Sequence, residues 1–264
     1  MQLTAHRAAW SGTHAQNSLA AIRECYRERA ERVEIDFRLV GGDFVVTHDM
    51  PRRGAGHPLL LRDALAIVRD SPGTTLLELD AKDLVPWPTV RALRLARLLD
   101  PVRHRVIVTS PADWNLRQLL RVDPSLALGF DPQFYLDWTP RPGALPGTRG
   151  AYGYLDAHPL ARRRAVPTTE YLRERLDDLV RLVPGARELH LRLTLFERML
   201  RDGLHGPAAF LHARGALVDV WTLDARTRAW RQRLERAVAA GVDVVTTNTP
   251  RELADAASAL RHGS

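Results

Sequence analysis

Short apolar runs alternate with helical patterns along the whole of this chain, and no other feature limits its possible folds so sharply. The runs centre on Ala5, Glu34, Leu77, Ile107, Ala127, His190, Val220 and Val245, with residues 44–47 extending the second. Helical periodicity fills the intervals at 18–29, 61–68, 89–99, 115–120, 169–182, 195–201, 206–214 and 228–240. Asn17 or Ser18 is placed to cap the first helix, and Gly215 and Gly241 to stop two later ones. Strands separated by helices pair in parallel, because a parallel pair needs a long crossover. Eight such units over 264 residues predict an α/β fold, a (β/α)8 TIM barrel forming a single domain over 1–264. An open doubly wound sheet has the same alternation, but no Gly-rich dinucleotide loop follows the first run.

Four of the early runs end in ionisable side chains. The first leads to His6, the second carries Glu34 and Asp36, its extension ends at His48, and the third carries Glu78, Asp80 and Lys82. Alternate strand residues share a face, so Glu78, Asp80 and Lys82 point together while Leu77, Leu79 and Ala81 point away. Lys82 is the only lysine among 38 basic residues. A compact ammonium kept in an otherwise all-arginine chain marks a place where a planar guanidinium does not serve, although an ion pair tying down a strand end would also use one. Stacked carboxylates repel unless a cation neutralises them. Glu34, Asp36 and Asp80 offer hard oxygen ligands of the kind Mg²⁺ or Ca²⁺ takes, and no Cys/His cluster has zinc spacing. Two histidines beside such a cation suit in-line displacement at phosphorus, one taking a proton and one giving it. Lys82 and the cation would then offset charge building on the phosphoryl oxygens.

The net charge of +7 and isoelectric point near 10.4 raise the question of a nucleic-acid partner. The arginines form no single tract, acids are interspersed among them, and no nucleic-acid-binding motif appears, so no such partner is expected. The charge is read as solvated helix faces in an arginine-rich chain, with attraction to an anionic substrate or peripheral contact with a lipid membrane as the narrower alternative. One cysteine, Cys25, excludes an internal disulfide and agrees with a cytoplasmic location. No apolar run has membrane-spanning length, and the N-terminus lacks a signal-peptide pattern. The connection 131–187 is unusually long. Phe130, Phe134, Tyr135, Trp138, Tyr152 and Tyr154 crowd its start, which suggests pocket lining on the substrate side or a satellite core.

These pieces together resemble the glycerophosphodiester phosphodiesterase family. The matching elements are His6-Arg7, Asn17-Ser18-Leu19-Ala20-Ala21, Val33-Glu34-Ile35-Asp36, His48-Asp49, Asp80-Ala81-Lys82 and Val220-Trp221-Thr222. The closing Gly241-Val242-Asp243-Val244-Val245-Thr246-Thr247-Asn248-Thr249-Pro250 completes them in the family's order. The resemblance implies His6 and His48 as the acid–base pair and Glu34, Asp36 and Asp80 as metal ligands. It places Arg7 and Lys82 on the phosphate, and Trp221, with Asn248, beside the substrate. Gln16 stands where the family commonly has Glu, and the usual third ligand, a Glu two residues before Lys, is here Asp80. Glu78 is therefore an alternative ligand, or a partner of Lys82 and the substrate. The short connection after His48 leaves no room for the family's insertion domain. Trp221-Thr222-Leu223-Asp224 and Asn248 look closer to the spider-venom phospholipase D (sphingomyelinase D) branch, which forms a cyclic phosphate. The implied function is metal-dependent hydrolysis of a glycerophosphodiester or lysophospholipid. A cyclising lyase or transferase, and a non-catalytic barrel binding anionic lipid or phosphate, are the alternatives.

Overall fold

The computed structural model describes residues 1–51, 57–139 and 148–262. Eight parallel strands close into a barrel: β1 (Gln2–Ala5), β2 (Arg32–Val40), β4 (Leu76–Ala81), β5 (Val106–Ser110), β6 (Leu128–Phe130), β7 (Glu188–Arg192), β8 (Leu217–Trp221) and β9 (Val244–Thr247). Closure comes from β1, which pairs with both β2 and β9. The remaining strand, β3 (Asp43–Val46), is antiparallel to the far end of β2, which is the extension expected from the sequence. The helices α1 (Leu19–Arg27), α2 (Leu61–Asp70), α3 (Thr89–Leu99), α4 (Asp113–Val122), α5 (Thr168–Leu182), α6 (Leu193–Arg201), α7 (Pro207–His212) and α8 (Trp230–Ala239) follow the strands in turn. A further helix, α9 (Pro250–His262), was not expected; it packs on β1 and α8 and buries Leu253 and Ala257. β6 lies slightly later than the predicted centre at Ala127, and it takes Phe130 from the long connection into the barrel wall.

Strand periodicity sorts the side chains into two layers. Val33, Ile35, Phe37, Leu77, Leu79 and Ala81 point outward into the annulus under the helices, where each is fully buried. Burial of such side chains contributes about 1.5–3 kcal/mol each, which makes this annulus the main source of stability. The inward positions are mostly polar, with Ile107 and Val244 the apolar ones beside Glu78 and Asp219. Arg32 donates to both carboxylate oxygens of Glu188 at 2.8 Å and to Glu78 at 3.2 Å. His190 lies 3.4 Å from Glu78, 3.3 Å from Glu188 and 3.2 Å from Asp219. Thr246 donates to Asp219. This charged layer floors the barrel, and β6 must narrow to admit it. A Cβ at Gly129 would collide with His190 Nε2 and sit 2.8 Å from Thr109 Cγ2.

Helix ends follow the local chemistry. Ser18 caps α1 by accepting from the Ala21 amide at 3.2 Å. Gly215 and Gly241 take the left-handed backbone conformation after α7 and α8. Cys25 is buried in α1 with its thiol pushed up to about 12 by burial, consistent with an inert core residue. No helix among the described residues is long and apolar enough to cross a membrane.

Candidate active site

A cavity of about 510 Å³ opens at the C-terminal ends of the strands. His6, Arg7, Glu34, His48, Glu78, Asp80, Lys82 and Trp221 all line it. The two remaining expected residues, Asp36 and Asn248, stand immediately behind that lining. Asp36 is fully buried 3.0 Å from Lys82 Nζ, and Asn248 backs His6. The barrel register makes this convergence, since β2 and β4 pair Glu34 with Glu78 and Asp36 with Asp80.

Three carboxylates meet at one point. Oxygens of Glu34, Asp36 and Asp80 lie within 4.8 Å of one another. Glu34 Oε2 accepts from the Arg7 amide at 2.6 Å, while its Oε1 is buried with no hydrogen-bond partner among the described residues. Burial raises the Glu34 carboxyl well above the ordinary range, and repulsion from Asp36 and Asp80 adds to the shift. Asp36 goes the other way. Burial works against its charge, but Lys82, the Asn17 amide and Arg7 outweigh that and hold it low. The Lys82 ammonium reaches both Asp36 and Asp80, and those carboxylates, with Glu34, keep it charged against burial. A hard divalent cation fits this set: the ligands are all oxygen, one buried carboxylate oxygen lacks a donor, and Lys82 with Arg7 leaves one of the three acids without a countercharge.

Glu78 belongs to a different group. Its carboxylate turns to Arg32 and His190, and its nearest potential co-ligands are His190 and Asp219. Burial pushes it up to about 7, with Asp219 and Glu188 adding repulsion and His190 and Arg32 opposing. In that layer Glu188 falls to about 2, because His190 and Arg32 outweigh the cost of its burial. His190 is raised well above its ordinary value, as its three acid neighbours outweigh desolvation. Two cations, Arg32 and His190, face the three acids of that layer, as Lys82 and Arg7 face the three of the Glu34 group above it.

His6 is held by a relay that the strand pattern did not predict. Its Nδ1 lies 2.8 Å from Asn248 Oδ1. The Asn248 side-chain amide donates to Asp224 at 3.1 and 3.3 Å, and its backbone amide donates there at 2.7 Å. The carboxylate thus orients the Asn248 amide, and an amide oxygen accepts only. Nδ1 must carry the proton, so the Nε2 lone pair faces the cavity, 3.9 Å from Glu34. Burial lowers the His6 pKa, with the Asn248 bond opposing and Arg7 reinforcing the shift. His48 differs: it is 39% exposed, and its Nδ1 meets Asp49 Oδ1 at 2.8 Å.

Other members of the site are residues to which the sequence assigned no definite role there. Asn17, considered as a helix cap, instead brackets Asp36, donating to its carboxylate at 2.8 Å and accepting from its amide at 3.0 Å. Arg192 stacks its guanidinium 4.4 Å over Trp221 and pairs through Nε with the buried Asp137 at 3.0 Å. Asp131 lines the cavity and is pushed up to about 7 by burial. In the long connection, Phe134 faces the cavity, while Tyr152 stacks on Tyr171 of α5 at 4.0 Å and Tyr154 donates to Asp202.

No protein-family model matches the chain, and no curated protein matches it. Solved structures match over nearly its whole length. A glycerophosphodiester phosphodiesterase from Parabacteroides distasonis aligns with a TM-score of 0.67 at 17% identity, covering 98% of this chain and 96% of that one. A phosphodiesterase from Oleispira antarctica, in complex with the product sn-glycerol-3-phosphate, aligns with a TM-score of 0.59 at 16% identity, covering 98% and 97%. A glycerophosphodiester phosphodiesterase from Agrobacterium tumefaciens aligns with a TM-score of 0.59 at 14% identity, covering 97% and 99%. At these identities the likeness is one of fold, and the chain has the (β/α)8 barrel of those enzymes.

Proposed function

We propose that this chain is a divalent-cation-dependent phosphodiesterase acting on a glycerophosphodiester or a lysophospholipid built on the same plan. One observation carries the reading: three carboxylates, an ammonium and a tautomer-fixed imidazole converge on a single cavity. The shared fold and the glycerol phosphate bound by the Oleispira enzyme support the same substrate class.

In this reading His6 Nε2 takes the proton of the attacking hydroxyl, from water or from the substrate's own glycerol. A new P–O bond forms on one side of the phosphorus as the ester P–O bond breaks on the other, its electron pair leaving with the alcohol oxygen. His48 gives that oxygen a proton, and the Asp49 carboxylate, 2.8 Å from its Nδ1, orients the ring. Lys82 and Arg7 face the non-bridging oxygens, and Trp221 with Arg192 forms the wall beside the departing alcohol. Mg²⁺ or Ca²⁺ held by Glu34, Asp36 and Asp80 supplies Lewis acidity toward the phosphoryl oxygens. A reducing compartment such as the cytoplasm suits the single buried cysteine.

Phosphorus NMR tests the proposal with glycerophosphocholine and lysophosphatidylcholine in Mg²⁺, in Ca²⁺ and in chelator. A phosphomonoester signal that disappears with chelator is the expected result. A cyclic phosphate as first product would assign the attack to the substrate's own hydroxyl. Absence of turnover on both substrates with both metals would remove the reading.

A further inference from the structure

Seven large apolar side chains are exposed among the described residues, and three of them, Met50, Leu84 and Val85, lie in two short stretches that border the cavity mouth. Single exposed apolar residues are ordinary on any protein, but clustering at one rim is not. Between the stretches runs a groove of about 420 Å³, walled by Leu39, Met50, Leu84, Val85 and Trp87. Arg38, Lys82 and Leu84 line both this groove and the cavity, so the two spaces are continuous at the ammonium assigned to the phosphate.

The junction is built rather than incidental. Arg38 is pinned by donating to the His48 carbonyl at 2.7 Å and to the Lys82 carbonyl at 2.9 Å. The one carboxylate on the groove, Asp83, is occupied by the Leu39 amide at 2.8 Å. Apart from Arg91, charge therefore collects at the cavity end, and the rest of the groove is apolar, with Met50 62% and Val85 71% exposed. A water-soluble glycerophosphodiester would leave those side chains in solvent. A phosphodiester bearing a hydrocarbon chain would cover them.

We infer that the groove holds the acyl or alkyl chain of the substrate, so that the preferred phosphodiester is a single-chain lysolipid rather than its deacylated head group. The inference rests on the phosphodiesterase reading. The occupant is the substrate's own chain rather than a bilayer or a second protein, because the groove starts at the residues that face the phosphate and is concave.

The test compares kcat/KM for glycerophosphocholine and for octanoyl-lysophosphatidylcholine kept below its micellar concentration. The wild-type protein should prefer the acylated substrate by about tenfold or more, the ratio that burial of a few methylenes supports. Val85→Asp and Val85→Ser should each reduce that preference by several-fold while leaving glycerophosphocholine turnover within about twofold. Leu217→Asp, an exposed apolar position at the opposite end of the barrel, should change neither. No acyl preference in the wild type, or a preference untouched by both Val85 variants, overturns the inference even with glycerophosphocholine turned over. Should neither substrate be cleaved, the phosphodiesterase reading fails separately. Calorimetric binding of dodecylphosphocholine then decides the groove: weakening by Val85→Asp supports it, and absent or unchanged binding overturns it.

Discussion

His6 Nδ1 finds its acceptor in Asn248, and Asp224 decides which way that amide points. A neutral amide leaves the imidazole uncharged, where a carboxylate in the same place would favour imidazolium. Burial moves the His6 pKa below 6.5 and so extends the pH range in which its imidazole is neutral, as the proposed base must be. Activity gated by neutral His6 should fall as pH drops through that lowered pKa, giving an acid limb below pH 6.5. His6→Ala should lower kcat by about 10²–10⁴-fold. Asn248→Ala should lower kcat and also move the acid limb to lower pH, because the bond it removes is one that raises the His6 pKa. A pH–rate profile checks both, and an unmoved limb would mean that Asn248 does not act through His6.

At the scale of elements, the pairing of β2 with β4 sets Glu34, Asp36 and Asp80 against one another. Without a cation Glu34 holds its proton well above the ordinary carboxylate pKa, chiefly through burial. The sign follows by linkage: this raised carboxyl stabilises the fold fully below about pH 4.5, and the contribution is lost as pH rises through the folded-state pKa. A bound cation reverses the penalty, because it favours the carboxylate. The rise in Tm produced by Mg²⁺ or Ca²⁺ should therefore be larger at pH 8 than at pH 5.5, and Glu34→Gln should flatten the difference. Thermal melts with and without chelator measure this without any need for turnover. A pH-independent increment would place the cation away from Glu34.

Across the whole molecule, the barrel interior is charged where an apolar filling is the common solution. Arg32 joins β2 to β4 and β7 through Glu78 and Glu188, and its side chain is 1% exposed. Truncating one member of a buried ion network leaves the others uncompensated, which costs about 3–5 kcal/mol. Arg32→Met should therefore destabilise the fold by about that amount in urea unfolding, since it strands Glu188 and Glu78 together. A loss under about 1 kcal/mol would show that the network relaxes or takes up protons instead.

Much of this was legible in the chain. The eight-fold alternation dictates parallel strands with crossover helices, and period-two spacing puts Glu34 with Asp36, and Asp80 with Lys82, on inward faces. These are local properties, carried by neighbouring residues on one strand. What lay beyond it were relations between segments distant in sequence. Glu78 and Asp80 have the same strand spacing, yet one joins Arg32 and His190 while the other joins the Glu34 group, because only barrel closure brings β7 and β8 across from β4. Asn248 reads as a substrate contact until the fold sets it behind His6, 242 positions away in sequence. Leu84 and Val85 carry no local sign of a groove, which exists only once Met50 and the cavity mouth are set beside them. The sequence by itself determined the barrel and the residue types at its mouth, because both follow from local periodicity. The partners of each charge, the His6 tautomer and the groove were decided only by tertiary structure, because each depends on which strand ends the closed barrel makes neighbours.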